Sequence, residues 1–82
     1  MILEIILKLR FFQIHHFELV KINSSKLINK IDCFDIKGQL IASKNYDDAS
    51  VVFNVNKFAK GIYFLKISAE DGTSSRQKIV RN

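Results

Sequence analysis

The pattern that most constrains the fold lies in the last third of the chain. Ile62–Ser68 alternates without a break: Tyr63, Leu65 and Ile67 fall on one side of an extended backbone, and Ile62 and Phe64 on the other. Successive side chains of a strand point to opposite faces, so this is the signature of a strand with two distinct surfaces. Gly61 precedes the run and Asp71-Gly72 follows it. Asp-Gly between two extended runs predicts a two-residue type I′ hairpin, in which both central residues need φ > 0. Thr73–Arg81 then reads as the returning strand.

The same punctuation extends upstream. Phe17–Asn23 reads as a short strand ended by Asn23-Ser24-Ser25, Lys30–Ile36 as a second and Gln39–Lys44 as a third. Ile36-Lys37-Gly38-Gln39 is a tight turn in which Gly38 supplies positive φ. Asn45-Tyr46-Asp47-Asp48 reads as a polar loop. Val51, Phe53 and Val55 share one face of a further strand, and Asn56–Lys60 connects it to Gly61. Strands this short, at such regular spacing, indicate a small antiparallel sandwich or barrel with no helix longer than two turns after residue 17. Residues 2–14 are ambiguous. Leu3, Ile5, Leu7, Leu9 and Phe11 align with period 2, and Ile2, Ile5, Ile6, Leu9 and Phe12 form a helical stripe; the period-2 count is slightly better.

With 82 residues, one domain is the ceiling, and its stability is expected to be marginal. The apolar fraction of 48% argues against disorder. Three glycines and no proline exclude collagen-like and Pro-rich readings. The net charge of +5 favours anionic partners, but the cations are spread along the chain and ten of the thirteen are lysines, the ordinary solvated surface cation. No nucleic-acid partner is expected on that ground. The N-terminal run Met1–Phe12 lacks a basic n-region and is interrupted by Glu4, Lys8 and Arg10, so it reads neither as a signal peptide nor as a membrane span.

No catalytic constellation is legible. His15-His16 would point to opposite faces of a strand and lack a third ligand. Asp47-Asp48 lacks the alternating oxygen ligands of a calcium loop. Cys33 has no basic neighbour in sequence and reads as an inert, partly buried thiol. Glycine-rich phosphate loops and nucleophile elbows are missing. Phe34, Phe53 and Phe64 could suggest a stacking platform for bases, yet their place in apolar strands makes core packing the simpler account. The chain is therefore read as a non-enzyme with no metal and no cofactor.

One longer constellation is more specific than its parts. It runs from Lys30-Ile-Asp-Cys-Phe-Asp-Ile-Lys-Gly-Gln-Leu-Ile-Ala, through Phe53-Asn-Val-Asn-Lys-Phe-Ala-Lys-Gly-Ile-Tyr-Phe-Leu-Lys-Ile, to Asp71-Gly72 and Arg76-Gln-Lys-Ile-Val-Arg. This order resembles the type A C-terminal sorting domain of type IX secretion cargo. Phe34, Asp35, Gly38, Gln39, Leu40, Val55, Phe58, Gly61, Ile62, Tyr63, Phe64, Lys66, Ile67, Gly72, Lys78 and Ile79 match its pattern. The resemblance covers roughly residues 18–82 and departs from the family in lacking an opening Asn-Pro motif.

The resemblance implies an all-β, Ig-like antiparallel β-sandwich of about six to seven short strands. It also implies a non-catalytic module that directs a cargo through the outer-membrane translocon to the cell surface, where a sortase-like peptidase removes it. A monomer is expected. Residues 1–16 are set apart as an atypical apolar lead-in, an extra strand or a non-native segment, and 17–82 as the sorting module. With no signal peptide in this chain, its export alone is not expected. Lys78, Ile79, Val80 and Arg81 are the candidate recognition residues because chain ends are accessible. Gly38, Gly61 and Gly72 serve turn geometry, and Tyr63 is a core or edge residue. A stand-alone extracellular adhesion sandwich is the rival reading, and a small basic nucleic-acid-binding barrel the third.

Overall fold

The computed structural model describes residues 2–6 and 19–81. Five strands are present among them: β1 (Ile2–Ile6), β2 (Leu19–Asp35), β3 (Leu40–Asn54), β4 (Gly61–Ala69) and β5 (Ser74–Arg81). They form one sheet in the order β1-β2-β4-β5, with β3 on the other side of β2. β2 to β5 are antiparallel to their neighbours, and β1 lies parallel to the first residues of β2. Among the described residues there is no helix. Of the ambiguous segment 2–14, Ile2–Ile6 is a strand. The rest, with His15-His16, lies outside the described residues.

The described residues hold five strands where six to seven were expected of the chain, because two predicted breaks are bridged. Asn23-Ser24-Ser25 does not end a strand: β2 runs through it. Asn45-Tyr46-Asp47-Asp48 is likewise part of β3 and not a loop. The polar residues are accommodated by register shifts in the β2–β3 ladder between Asn23 and Ile28 and between Ile28 and Lys30. One bond across the ladder and one within β3 hold the irregular region together. The Ser50 hydroxyl donates to Asn23 Oδ1 of β2 at 2.7 Å, and the Tyr46 hydroxyl donates to the Val52 carbonyl of its own strand at 3.0 Å. Polar composition marked both segments as turns; ladder pairs on either side of them, Asn23 with Ser50, Ile28 with Asp48 and Lys30 with Asn45, carry the two strands through the irregular stretch.

These irregularities also bend the sheet. A straight 17-residue strand would reach about 55 Å, whereas the longest dimension of the molecule is 32 Å. β2 must therefore curl, as a bulged strand does. The curl brings Val20 and Ile22 from its first half into one core with Ile28, Ile31 and Cys33 from its second, together with Val51, Phe53 and Val55, Tyr63, Leu65 and Ile67, and Ile79. Tyr63, Leu65 and Ile67 are buried as the alternation predicts. Phe53 is buried too, but the core assignment fails for its two companions: Phe34 is half-buried and Phe64 is 36% exposed. Period 2 leaves no choice, since a strand that turns residues 63, 65 and 67 inward must turn 64 outward.

Candidate functional site

The candidate surface is built by β4, β5 and the two hairpin tips. Both tips have the same construction. At Asp35–Gln39 the Gly38 N–H donates to the Asp35 carbonyl at 3.0 Å, and the Asp35 N–H to the Gln39 carbonyl at 3.0 Å. At Ala69–Thr73 the Gly72 N–H donates to the Ala69 carbonyl at 3.1 Å, and the Ala69 N–H to the Thr73 carbonyl at 2.9 Å. Each is a three-residue loop closed by a glycine in the left-handed region, Gly38 at φ 85° and Gly72 at φ 88°. Asp71-Gly72 is thus not the two-residue type I′ turn expected from its sequence; Glu70 belongs to the loop.

A carboxylate braces each tip. Asp35 Oδ1 accepts the Lys37 and Gln39 N–H groups, both at 2.9 Å. Asp71 Oδ1 accepts from the Thr73 N–H at 3.0 Å and its hydroxyl at 2.6 Å, while Oδ2 lies 2.6 Å from Lys26 Nζ. Lys26, together with the Thr73 hydroxyl and amide, holds the Asp71 carboxyl well below the usual carboxylate range.

The connector between β3 and β4 is pinned from two sides. Phe58 folds back, its N–H on the Val55 carbonyl at 3.0 Å, and its ring stacks obliquely on Tyr63 at 5.2 Å and edge-on to Phe53 at 6.1 Å. The Tyr63 hydroxyl donates to the Ala59 carbonyl at 2.5 Å. A buried tyrosine at a strand start that bonds back to the backbone upstream is the arrangement of a tyrosine corner. Arg81 reaches the same connector, its Nε on the Phe58 carbonyl at 2.9 Å and a terminal nitrogen on the Asn56 carbonyl at 3.1 Å.

The four candidate recognition residues therefore occupy different environments. Ile79 is fully buried opposite Tyr63. Arg81 stands opposite Gly61 with its guanidinium on the connector. Lys78 and Val80 alternate with Ile79 and so face away from the core, opposite Phe64 and Ile62 respectively. Gly38 and Gly72 sit at the tips, and Gly61 opens β4. Of the remaining family-matching residues, Phe34 faces Phe64 across the β2–β4 ladder, and Lys66 faces Asp32. Asp32 is buried, accepts from the Ser43 hydroxyl at 2.7 Å and lies 3.8 Å from Lys30 Nζ.

Cys33 is buried, and desolvation, with a smaller contribution from the Asp35 charge, pushes its thiol up to about 12. It is a protonated core residue at neutral pH. Among the described residues no three His, Cys, Asp or Glu side chains cluster as metal ligands, and no helix is long and apolar enough to cross a membrane.

Sequence reasoning missed two features. The outward-facing Phe34–Phe64 pair was legible, since the parity that buries Tyr63 and Leu65 places Phe64 outside. The Arg81 clamp had no local signal, because its acceptors are carbonyls far away in the chain.

Comparison with known proteins adds a family and a fold. A family model described as "Secretion system C-terminal sorting domain" matches residues 16–82. No curated protein matches the chain significantly. Among solved structures, one described as the CBM51-2 and INT domains of Clostridium perfringens ZmpB is similar, with a TM-score of 0.57 at 20% identity. The similarity covers 85% of this chain and 17% of that one, and at this identity it speaks for the fold alone.

Proposed function

The chain belongs to the secretion system C-terminal sorting domain family, the sorting signals of type IX secretion, and from this premise we propose that it is a non-catalytic module that directs an attached cargo through the type IX outer-membrane translocon to the cell surface. The observation that carries the reading is the span of the match, which takes in all of β2 to β5. In this reading residues 17–82 are the sorting unit, and the curled sheet works as a small Ig-like sandwich whose rigid surface is the signal. A sortase-like peptidase acts on it after transport, and the unit works as a monomer.

The burial of Ile79 and the bonds of Arg81 to the connector support a narrower set of contacts. Ile79 and Arg81 serve the fold, so the translocon reads Lys78 and Val80 on the outward face of β5. The test joins the full chain behind a signal peptide and a reporter in a host with type IX machinery. The reporter reaches the surface in that host and stays periplasmic in a strain lacking the translocon. A Lys78→Ala, Val80→Ser variant that melts like the parent is retained in the periplasm. Equal surface delivery with and without the translocon would refute the function. Normal delivery of the double variant would refute the contact assignment and leave the function standing.

A further inference from the structure

The outward face of β2, β4 and β5 carries a feature that folding does not use. Leu40, Phe34, Phe64 and Lys78 are successive cross-strand neighbours on β3, β2, β4 and β5. Next to this row, Asp32 faces Lys66 and Lys66 faces Arg76. Ile36 at the hairpin tip is 66% exposed, Leu40 56% and Phe64 36%. Phe34, Ile36, Gly38 and Phe64, with Asp35 and Arg76, line a cleft of about 220 Å³. Scattered apolar residues on a surface are ordinary, but apolar residues gathered around a cleft mark a binding surface.

The charges at the cleft are unbalanced. Asp35 already accepts two backbone N–H groups, and Asp32 is occupied by Ser43 and Lys30. Among the described residues Arg76 has no acidic partner. It ends the cleft with Lys66 and Lys78 beside it on the same face. The volume falls below the roughly 300–1,000 Å³ of small-molecule sites and suits a single amino-acid side chain. A nucleic-acid strand fits less well, because the cations Lys66, Arg76 and Lys78 lie only on the β4–β5 side, while aliphatic Ile36 and Leu40 and the Asp32 and Asp35 carboxylates lie on the β2–β3 side, where a continuous phosphate track would also need cations.

We propose that this cleft docks an acidic protein segment, which inserts one apolar side chain against Phe34, Ile36 and Phe64 and sets a neighbouring carboxylate on the Arg76 guanidinium. Arg pairs with a carboxylate through two parallel bonds, which gives the contact direction as well as strength. The proposal goes beyond the sorting reading and does not depend on it.

The test is a titration of the isotopically labelled full chain, followed by backbone amide chemical shifts, with a capped Glu-Glu-Phe-Glu-Glu peptide at low salt. Saturable shifts are expected at residues 34–38, at Phe64 and at Arg76 in the millimolar range. Phe64→Thr and Arg76→Glu, both at exposed positions, each weaken the affinity by about tenfold while the remaining spectrum stays dispersed. A Lys-Lys-Phe-Lys-Lys peptide leaves the cleft unmoved.

The proposal is overturned if the acidic peptide shifts nothing in the cleft, or if the two variants bind it like the parent. It is overturned equally if the basic peptide or oligothymidylate binds as tightly. Concentration-dependent shifts of the same residues without peptide would replace the acidic segment with a second copy of this chain. Loss of peptide binding in Phe64→Thr with surface delivery intact would leave both this surface and the sorting function in place as separate properties.

Discussion

Arg81 and Tyr63 hold the connector at Asn56–Lys60 from opposite ends, and both do it through backbone carbonyls. Tyr63→Phe removes the hydroxyl and leaves the Ala59 carbonyl without that donor; the expected loss is about 1 kcal/mol. Arg81→Lys keeps the charge but not the fork that reaches two carbonyls, so a loss of about 1–2 kcal/mol follows. In a domain of this size each kcal/mol lowers the melting temperature by roughly 4–8 °C, which calorimetry resolves. An Arg81→Lys variant that melts with the parent would show that the guanidinium is not a clamp. Asp71 makes a pH prediction. Its folded pKa is depressed by Lys26 and Thr73, so its stabilisation is present above the ordinary carboxylate value of about 3.9. That stabilisation is lost as pH falls below this value towards the depressed one. Acid titration of the melting temperature should show a decline below about pH 4, smaller in Asp71→Asn. The group is on the surface, so the decline is shallow and shrinks with added salt.

Elements are closed by the two hairpin tips, where Gly38 and Gly72 share a left-handed φ and where an added Cβ would meet nothing within 4 Å. The cost of substitution is therefore conformational and not steric crowding. Gly38→Ala and Gly72→Ala should each lose roughly 1–2 kcal/mol, and Gly→Asn at the same positions clearly less, because asparagine tolerates this region. Thermal melts of the four variants separate the two residue types; alanine and asparagine melting together would mean the backbone can leave the left-handed well. Both tips combine a glycine with an aspartate that gathers nearby N–H groups. At Asp35 the carboxylate precedes the glycine by three positions, and at Asp71 by one. The glycines were legible from sequence as turn residues. The loop length was not, because it depends on which residues of the flanking strands pair, Phe34 with Leu40 and Ser68 with Ser74.

At the scale of the whole molecule, the curl of β2 collects core residues from every strand from β2 to β5, so none of these four strands has a private core among the described residues. Ile79→Ala in the edge strand should then cost about 2–5 kcal/mol, a large share of the stability of a small domain. Circular dichroism and fluorescence are expected to report one shared transition at a lower temperature; separate transitions for the two ends would show that the core is divided. The alternation in Ile62–Ser68 determined the buried face of β4, because the strand period is a property of the backbone. The family, too, was recognisable in the sequence, because Phe34-Asp35, Gly38, Phe58, Gly61 and Tyr63 stand in an order that resembles it, and the family model matches the same stretch. Where the chain stays extended was decided elsewhere. Ser24-Ser25 and Asn45–Asp48 have the composition of turns, yet each lies in a strand, because pairs on either side of the bulged stretch, Asn23 with Ser50 and Ile28 with Asp48, carry β2 and β3 through it. The fate of Arg81 was decided in the same way: its sequence marks a cation near an exposed chain end, and only the return of β5 beside the connector brings it to the carbonyls of Asn56 and Phe58. Period and turn propensity are local and survive in the sequence; ladder partners and distant acceptors exist only once the sheet has closed.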